Sequence, residues 1–196
     1  VVLFNRAQDQ LAHSSVTSDN IEGGQTAAQF LCGAGHKRIA YIGGWVGAST
    51  QRDREAGFCS GLKKFGKTLF AHALGNFSTD TAKDVAREMF AASGRPDAVF
   101  VATDHMAFAV MDVLRTELGL SIPEDVSVVG YDDVPPASWA GYNLTTLRQR
   151  ANLMVEQTVR LMIDKIRDPE VAPKHLKINS PLIVRGSAKI PKGWNT

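Results

Sequence analysis

The sequence predicts an α/β fold built on a parallel sheet with flanking helices. Short runs rich in β-branched and aromatic residues recur along the chain, and amphipathic helical patterns separate them. Glycine or proline marks most of the boundaries between the two patterns. A spacing of about thirty residues from strand to strand is typical of βαβ units, whose right-handed crossovers bring the carboxyl ends of the strands to one rim.

Composition narrows the functional classes. The chain has 196 residues, enough for one large or two small domains, and its 22 basic and 20 acidic residues leave no overall charge that favours nucleic acid or a membrane. No apolar run approaches the length of a membrane span. Cys32 and Cys59 lack a Cys-x-x-Cys spacing, and no two histidines are four residues apart. We therefore expect a cytoplasmic chain without a metal or a cofactor.

The first elements follow from apolar runs and caps. Residues 1–4 are expected to form a strand, and residues 5–18 are polar and are expected to be irregular. Asp19 is expected to cap a helix that ends near Gly33. A strand at 38–42 then leads into a glycine-rich loop and a helix that begins near Ser49.

The strand, glycine loop and helix at 38–65 allow an alternative, a nucleotide site. A dinucleotide fold would carry an acidic residue at the end of the next strand, to bind the ribose hydroxyls. That strand, at 69–74, is followed by Gly75-Asn76-Phe77 and has no acid there. The pattern therefore favours binding without a nucleotide cofactor.

The alternation of helices and strands continues to the end of the chain. The remaining predicted helices are 79–90, 104–118 and 150–166, and the remaining strands are 98–101, 126–129, 144–147, 176–178 and 182–184. Gly130 is expected to turn the chain at the end of its strand, just before Asp132. The last helix is expected to bury one face, formed by Met154, Leu161, Met162 and Ile166.

Polar and aromatic side chains collect where the predicted parallel strands end. The loops that meet at this rim are 43–54, 75–77, 102–105 and 130–133. They offer the guanidinium of Arg54, the ring of Phe77, the hydroxyl of Thr103 and the carboxylate of Asp132. Such groups hold small polyhydroxylated molecules. His105 is the only nearby base and the helix direction is expected to carry it away, so we predict binding and no enzyme activity.

Each of these residues also has a structural interpretation. Arg54 is consistent with a solvated helix arginine, Phe77 with a core residue and Thr103 with a helix N-cap. Asp132 is consistent with a turn carboxylate that accepts bonds from backbone amides. Residue type alone leaves both interpretations open at all four positions.

Several motifs in order resemble the effector-binding domain of LacI-family transcriptional regulators. They lie at 19–20, 35–44, 54–58, 96–100, 102–107, 123–133, 144–146 and 185–187. The resemblance implies a periplasmic-binding-protein-like fold of type I, in which three crossovers join two α/β subdomains and a ligand binds between them. It assigns 1–18 to a remnant of the N-terminal subdomain, 19–143 to the C-terminal subdomain, 144–171 to a crossover and a helix of the N-terminal subdomain, and 172–196 to C-terminal strands and a tail.

The resemblance also implies the ligand contacts and their roles. The implied ligand-binding residues are Arg54, Asp132, Phe77, Thr103, Thr50 and Asn5. Arg54 and Asp132 match the residues that grip the ligand, and Phe77 matches an aromatic residue that stacks on it. Thr103 stands where many members have asparagine, so an amide donor of the family site is absent here.

The resemblance further implies a regulatory role and a homodimer. The expected dimer interface includes Met106, Val110, Trp139 and Tyr142. The helix-turn-helix domain that reads operator DNA would precede Val1, together with a hinge helix and the first half of the N-terminal subdomain. The predicted function is a sensor of a small metabolite, a sugar above all, that controls DNA binding by population shift. The alternative is a periplasmic sugar-binding protein of a transport system.

Overall fold

The computed structural model describes residues 1–8 and 12–194; residues 9–11 and 195–196, which belong to the first and last predicted segments, lie outside this range. The strands are β1 Val2–Phe4, β2 Ser14–Ser18, β3 Ile39–Gly43, β4 Ala71–Leu74, β5 Ala98–Val101, β6 Ser127–Asp132, β7 Thr145–Arg148, β8 His175–Ile178 and β9 Leu182–Ile183. The helices are α1 Asn20–Gly33, α2 Ser49–Lys64, α3 Thr79–Phe90, α4 Asp104–Asp112 and α5 Ala151–Arg167. A π-helical turn, Val113–Glu117, extends α4, and a short 3-10 helix spans Pro135–Ser138.

The larger sheet has the strand order β4-β3-β5-β6-β7-β9 and is parallel except for β9. Strands β3 and β5 are buried along their whole length, as expected when helices cover both faces of a parallel sheet. Phe58 on α2 packs on Phe100 of β5 on one face. Met106 on α4 lies beside Gly75 on the other face. We call this sheet with α1 to α4 the six-stranded unit.

Two glycines let α1 and α2 pack unusually close together. A Cβ atom on Gly24 would lie 2.3 Å from the carbonyl oxygen of Arg54, and one on Gly57 would lie 2.2 Å from that of Ile21. Any larger residue at either position would force the helix backbones apart. This close contact fixes the part of α2 that carries Arg54.

The smaller sheet has the order β1-β2-β8, is parallel, and packs against α5. We call it, together with α5, the three-stranded unit. Its fully buried apolar residues are Val16, Met154 and Leu161. The predicted buried face of α5 is only half correct, because Met162 and Ile166 are exposed. Three strands are too narrow to cover the whole apolar face of a 17-residue helix.

Two predictions about local structure were wrong. Residues 14–18, expected to be irregular, form β2, whose Ser-Ser-Val-Thr-Ser sequence has one apolar residue and therefore no apolar alternation. Strand β2 is stabilised by parallel pairing with β1 on one edge and with β8 on the other. Gly130 does not end β6, since the strand continues to Asp132. A Cβ atom at Gly130 would lie 2.4 Å from Oδ1 of Asp104, so the glycine permits a close approach.

Within the described ranges the chain passes three times between the two units, after β2, after β7 and after β8. The hydroxyl of Ser18, on the first crossover, donates to Oε1 of Gln149 on the second at 3.2 Å. The hydroxyl of Tyr131 donates to that of Ser180, on the third, at 3.1 Å. Two predicted segments need correction here: β7, in the segment 144–171, lies in the larger sheet, and β8, in the segment 172–196, lies in the smaller one.

Candidate functional site

A cavity of about 360 Å³ opens between the two units, at the carboxyl ends of their parallel strands. Its lining residues are Asn5, Arg6, Thr50, Arg54, Phe77, Thr103, His105, Asp132 and Gln149. All six residues predicted to bind a ligand are in this set. The three that the sequence argument did not select are Arg6, His105 and Gln149.

Arg54 is fixed by contacts on all sides of its guanidinium. Its Nε donates to Oδ1 of Asn20 at 2.8 Å, and its Nη1 donates to the carbonyl oxygen of Ala102. Its Cζ lies 3.6 Å from the centre of the Tyr131 ring, a cation–π contact. Only 3% of the residue is exposed, so the interpretation as a solvated helix arginine is wrong. The guanidinium is a rigid, buried positive charge at the floor of the cavity.

Asp132 is the last residue of β6 and lies in a strained backbone conformation. Its φ is 129° and that of Asp133 is 59°, both in the region that favours glycine. One carboxylate oxygen accepts a bond from Nε2 of Gln149 and lies 3.8 Å from Nη2 of Arg54. Burial raises the pKa of Asp132, while the positive charge of Arg54 acts in the opposite direction. The carboxylate thus faces the cavity between a cation and an amide.

A second carboxyl group, Asp104, supports the strained turn from below. It is fully buried, accepts a bond from the Thr146 hydroxyl at 2.6 Å and another from the Val134 backbone N–H at 3.0 Å. Burial raises the pKa of Asp104 to about 6, and the bond from Thr146 opposes the shift. Asp104 does not line the cavity, so it acts by holding the turn that presents Asp132.

The positions of Phe77 and Thr103 decide whether each has a structural role, as a core residue or as a helix N-cap. Phe77 is 39% exposed, so it is not a core residue. One edge of its ring lies against Gly44, where a Cβ atom would be 2.1 Å from the ring. Thr103 is the N-cap of α4, and its hydroxyl accepts from the Met106 backbone N–H at 3.5 Å, as the capping interpretation expected. The same threonine also lines the cavity.

The opposite wall comes from the end of β1. Asn5 has a φ of 52°, and its side-chain oxygen is buried without a hydrogen-bond partner among the described residues. Next to it, Nη1 of Arg6 donates to the Asn5 carbonyl oxygen at 2.8 Å and to the Thr50 hydroxyl at 3.4 Å. Thr50 lies in the first turn of α2, so these contacts link the two units across the cavity.

The three unpredicted lining residues have different origins. His105 was expected to point away, but it lies in the first turn of α4, where the side chain still reaches the rim. Arg6 and Gln149 follow β1 and β7 closely, and Gln149 is the first residue after its strand. Extending the strand-end rule to every predicted strand would have selected both.

Two of the four residues predicted at a dimer interface need correction. Met106 and Val110 are completely buried in the six-stranded unit and offer no surface to a second subunit. Helix α4 is apolar on nearly every side, so its sequence gives no indication of an outer face. Tyr142 is partly buried, with its ring centre 4.3 Å from that of Phe108, while Trp139 is 60% exposed. Only the loop that carries Trp139 stays a predicted contact.

Neither a metal site nor a membrane-spanning helix is present in the described part of the chain. Residues 1–8 and 12–194 contain no cluster of three or more His, Cys, Asp or Glu side chains arranged to hold a metal ion. No helix within these ranges is long and apolar enough to cross a membrane.

The profile of the periplasmic binding protein-like domain matches residues 28–188. The chain belongs to this family. It is 38% identical over 179 residues to the HTH-type transcriptional regulator CelR of Thermobifida fusca. This match covers 89% of the chain and 52% of CelR. It is 33% identical over 178 residues to the ribose operon repressor of Escherichia coli strain K12, covering 89% of the chain and 54% of the repressor. The chain spans about half the length of the curated relatives it matches.

Solved structures agree with these relatives. A complex of the transcriptional regulator CelR with cellobiose superposes with a TM-score of 0.88 at 34% identity, over 95% of this chain and 58% of that one. A LacI-family regulator from Enterococcus faecium with bound ribose gives a TM-score of 0.84 at 25% identity, and the match covers 97% of this chain and 70% of that one. The predicted fold and the resemblance to LacI-family effector domains are confirmed. The proteins named here are transcriptional regulators and not enzymes.

Proposed function

We propose that this chain is the effector-binding domain of a LacI-type transcriptional regulator. One observation carries the proposal: Arg54, Phe77 and Asp132 line a single cavity between the two units. The proposal is supported by the named relatives, all regulators of transcription. The cavity holds the ligand without transforming it, so the chain is not an enzyme.

The ligand is a small polyhydroxylated molecule, and a sugar is the best match. The carboxylate of Asp132 accepts hydrogen bonds from hydroxyls, and the amide of Gln149 can accept or donate them. The exposed face of Phe77 covers the apolar side of a sugar ring. Sugars are also present in two of the similar structures, cellobiose in the CelR complex and ribose in the E. faecium regulator.

Ligand binding regulates by stabilising one relative arrangement of the two units. Asn5 and Arg6 enter the cavity from the three-stranded unit, whereas Arg54, Phe77 and Asp132 enter from the six-stranded unit. A ligand that contacts both walls binds one arrangement more tightly, and the population shifts in proportion to that difference in affinity. In the whole regulator this shift changes the affinity of a DNA-reading domain for its operator.

The competing role, a periplasmic sugar-binding protein, uses the same kind of cavity. The relatives described above are regulators and repressors of transcription, and they favour the regulatory role. The coding sequence upstream of Val1 distinguishes the two. A helix-turn-helix domain there supports the regulator, whereas an export signal supports the transport protein.

Isothermal titration of the full chain against a panel of sugars tests the binding site. For a sugar that binds, we expect Asp132→Asn to weaken affinity on the order of 10- to 100-fold, because a hydrogen bond to a charged group contributes about 1.5–3 kcal/mol. Phe77→Ala should weaken it about 10-fold through the loss of stacking. Phe65→Ala is the matched control, since Phe65 is also partly exposed but follows α2 at its far end. Equal affinity in all three variants would contradict the site.

A further inference from the structure

Among the described residues that line the cavity, the charges do not balance. Arg54 is neutralised within the protein, because Asp132 lies beside it and its Nε and Nη1 are both bonded. Asp132 is the one carboxylate in the lining, whereas Arg6 brings a second guanidinium. The other nearby acid, Asp104, is buried behind the turn and is satisfied by Thr146 and the Val134 backbone. The excess positive charge therefore lies on the side of Arg6.

Arg6 is held at the cavity but is not neutralised by the part of the chain that the structure describes. Its Nη1 is tied to the Asn5 carbonyl oxygen and to the Thr50 hydroxyl, both of them neutral acceptors. No carboxylate in residues 1–8 or 12–194 lies within 4.0 Å of its nitrogen atoms. A guanidinium has five N–H donors, so most of those on Arg6 are available to a ligand.

The amino end of α2 adds to the positive potential beside Arg6. This helix has 16 residues, begins at Ser49, and has no acidic residue in its first turn. Its N-cap is Ala48, whose side chain cannot accept a hydrogen bond from the free backbone N–H groups. The positive end of the helix dipole thus lies at Thr50, the residue that Arg6 contacts.

From this imbalance we infer that the ligand is an anionic sugar derivative, whose carboxylate or phosphate lies against Arg6 and the amino end of α2. This inference rests on the proposed function and specifies its ligand. The hydroxyls of the same molecule then contact Asp132 and Gln149 at the other end of the cavity. The side-chain oxygen of Asn5, which is buried and has no hydrogen-bond partner among the described residues, is a further acceptor on the wall that carries Arg6. The acid group fixes the orientation of the ligand, and the hydroxyls determine which sugar is accepted.

Isothermal titration of the full chain with matched pairs tests the inference. Each pair joins a neutral sugar to its acid: D-galactose with D-galacturonate, D-glucose with D-glucose 6-phosphate, and D-ribose with D-ribose 5-phosphate. Inorganic phosphate alone measures the contribution of the anion without the sugar. In at least one pair we expect the acid to bind on the order of 10-fold tighter than its neutral partner, because charge-assisted hydrogen bonds are about twice as strong as neutral ones. The preference should decrease at high salt.

Variants then identify the group responsible. Arg6→Gln should abolish the preference for the acid, and Arg6→Lys should retain part of it. Arg160→Gln is the control, because it removes the same charge from an exposed position on α5 where the arginine pairs with Glu156. A preference that survives Arg6→Gln would overturn the inference.

The outcomes separate the inference from the proposed function. If in every pair that binds the neutral sugar binds as tightly as its acid, with an affinity that depends on Asp132, the inference is overturned and the proposed function stays intact. The absence of binding for every member of the panel overturns both.

Discussion

The two units differ in how well they are packed. In the six-stranded unit, aromatic residues such as Tyr41, Phe58 and Phe100 are fully buried between the sheet and its helices. Among the described residues of the three-stranded unit, the buried apolar core consists of three residues, and Ile166 on α5 is 77% exposed. A region with few buried apolar contacts opens at a lower free energy than a well-packed one. The cavity therefore has one rigid wall, which carries Arg54 and Asp132, and one wall that moves more readily.

The largest expected effect compares one substitution in the two units. Leu62→Ala on α2 and Leu161→Ala on α5 both remove an apolar side chain that is buried or nearly so. We expect Leu62→Ala to reduce the free energy of unfolding by about 3–5 kcal/mol and Leu161→Ala by about 2 kcal/mol, since a looser site relaxes around a cavity more easily. Urea unfolding followed by circular dichroism measures both. Equal losses would mean that the two units are packed equally well.

The second effect concerns Asp104, which supports the rigid wall. Its pKa of about 6 lies above the value in an unfolded chain, so the stability it contributes is fully present below about pH 4 and is lost as pH rises through about 6. In the Asp104→Asn variant the asparagine side chain cannot ionise. The stability of this variant relative to the unsubstituted chain should therefore improve by about 2–3 kcal/mol between pH 4 and pH 7. Urea titrations at several pH values would contradict this if the difference between the two proteins stayed constant.

The third effect tests the close packing of α1 on α2. Gly57→Ala places a Cβ atom against the Ile21 carbonyl oxygen, so we expect a loss of about 1–3 kcal/mol in the free energy of unfolding. Gly94→Ala is the matched control, because a Cβ atom there meets nothing within 4 Å. A crystal structure of the Gly57 variant should have α1 displaced from α2. An unchanged stability would show that the helices separate without cost.

The smallest expected effect concerns the bare face of the three-stranded unit. Ile166→Ser should change the free energy of unfolding by no more than about 0.5 kcal/mol, since substitutions at exposed positions away from special features have little effect. Thermal denaturation at two protein concentrations is a suitable measurement. A loss above about 1 kcal/mol, or a dependence on concentration, would indicate that this face is covered in solution.

The sequence predicted elements best where one local signal was strong. Strand β5 was predicted to the residue, because a continuous apolar run follows Pro96-Asp97. The cap at Asp19 was also correct, and its side chain accepts the Glu22 backbone N–H in the first helical turn. Local chemistry of this kind does not depend on the rest of the fold.

The errors arose where a distant part of the chain decides the outcome. Strand β2 is polar and is held by β8, more than 150 residues away in the sequence. Position 130 requires a glycine because Asp104, on another element, occupies the place where a side chain would lie. For the candidate site, the rule that ligands bind at strand ends selected four of the nine lining residues, Arg54, Phe77, Thr103 and Asp132, and the family resemblance added Thr50 and Asn5. It missed Arg6, whose contact with Thr50 joins two units that are separate in sequence.

The contacts among the crossovers connect the cavity to the segments about which the two units would rotate. Gln149 binds Asp132 on one side and Ser18 on the other, and Tyr131 lies beneath Arg54 while its hydroxyl reaches Ser180. A ligand that displaces Asp132 or Arg54 therefore acts on residues that contact the crossover segments directly. Under the proposed function, ligand binding would act on the crossover segments themselves, where a small rotation displaces the far ends of the two units by a larger distance.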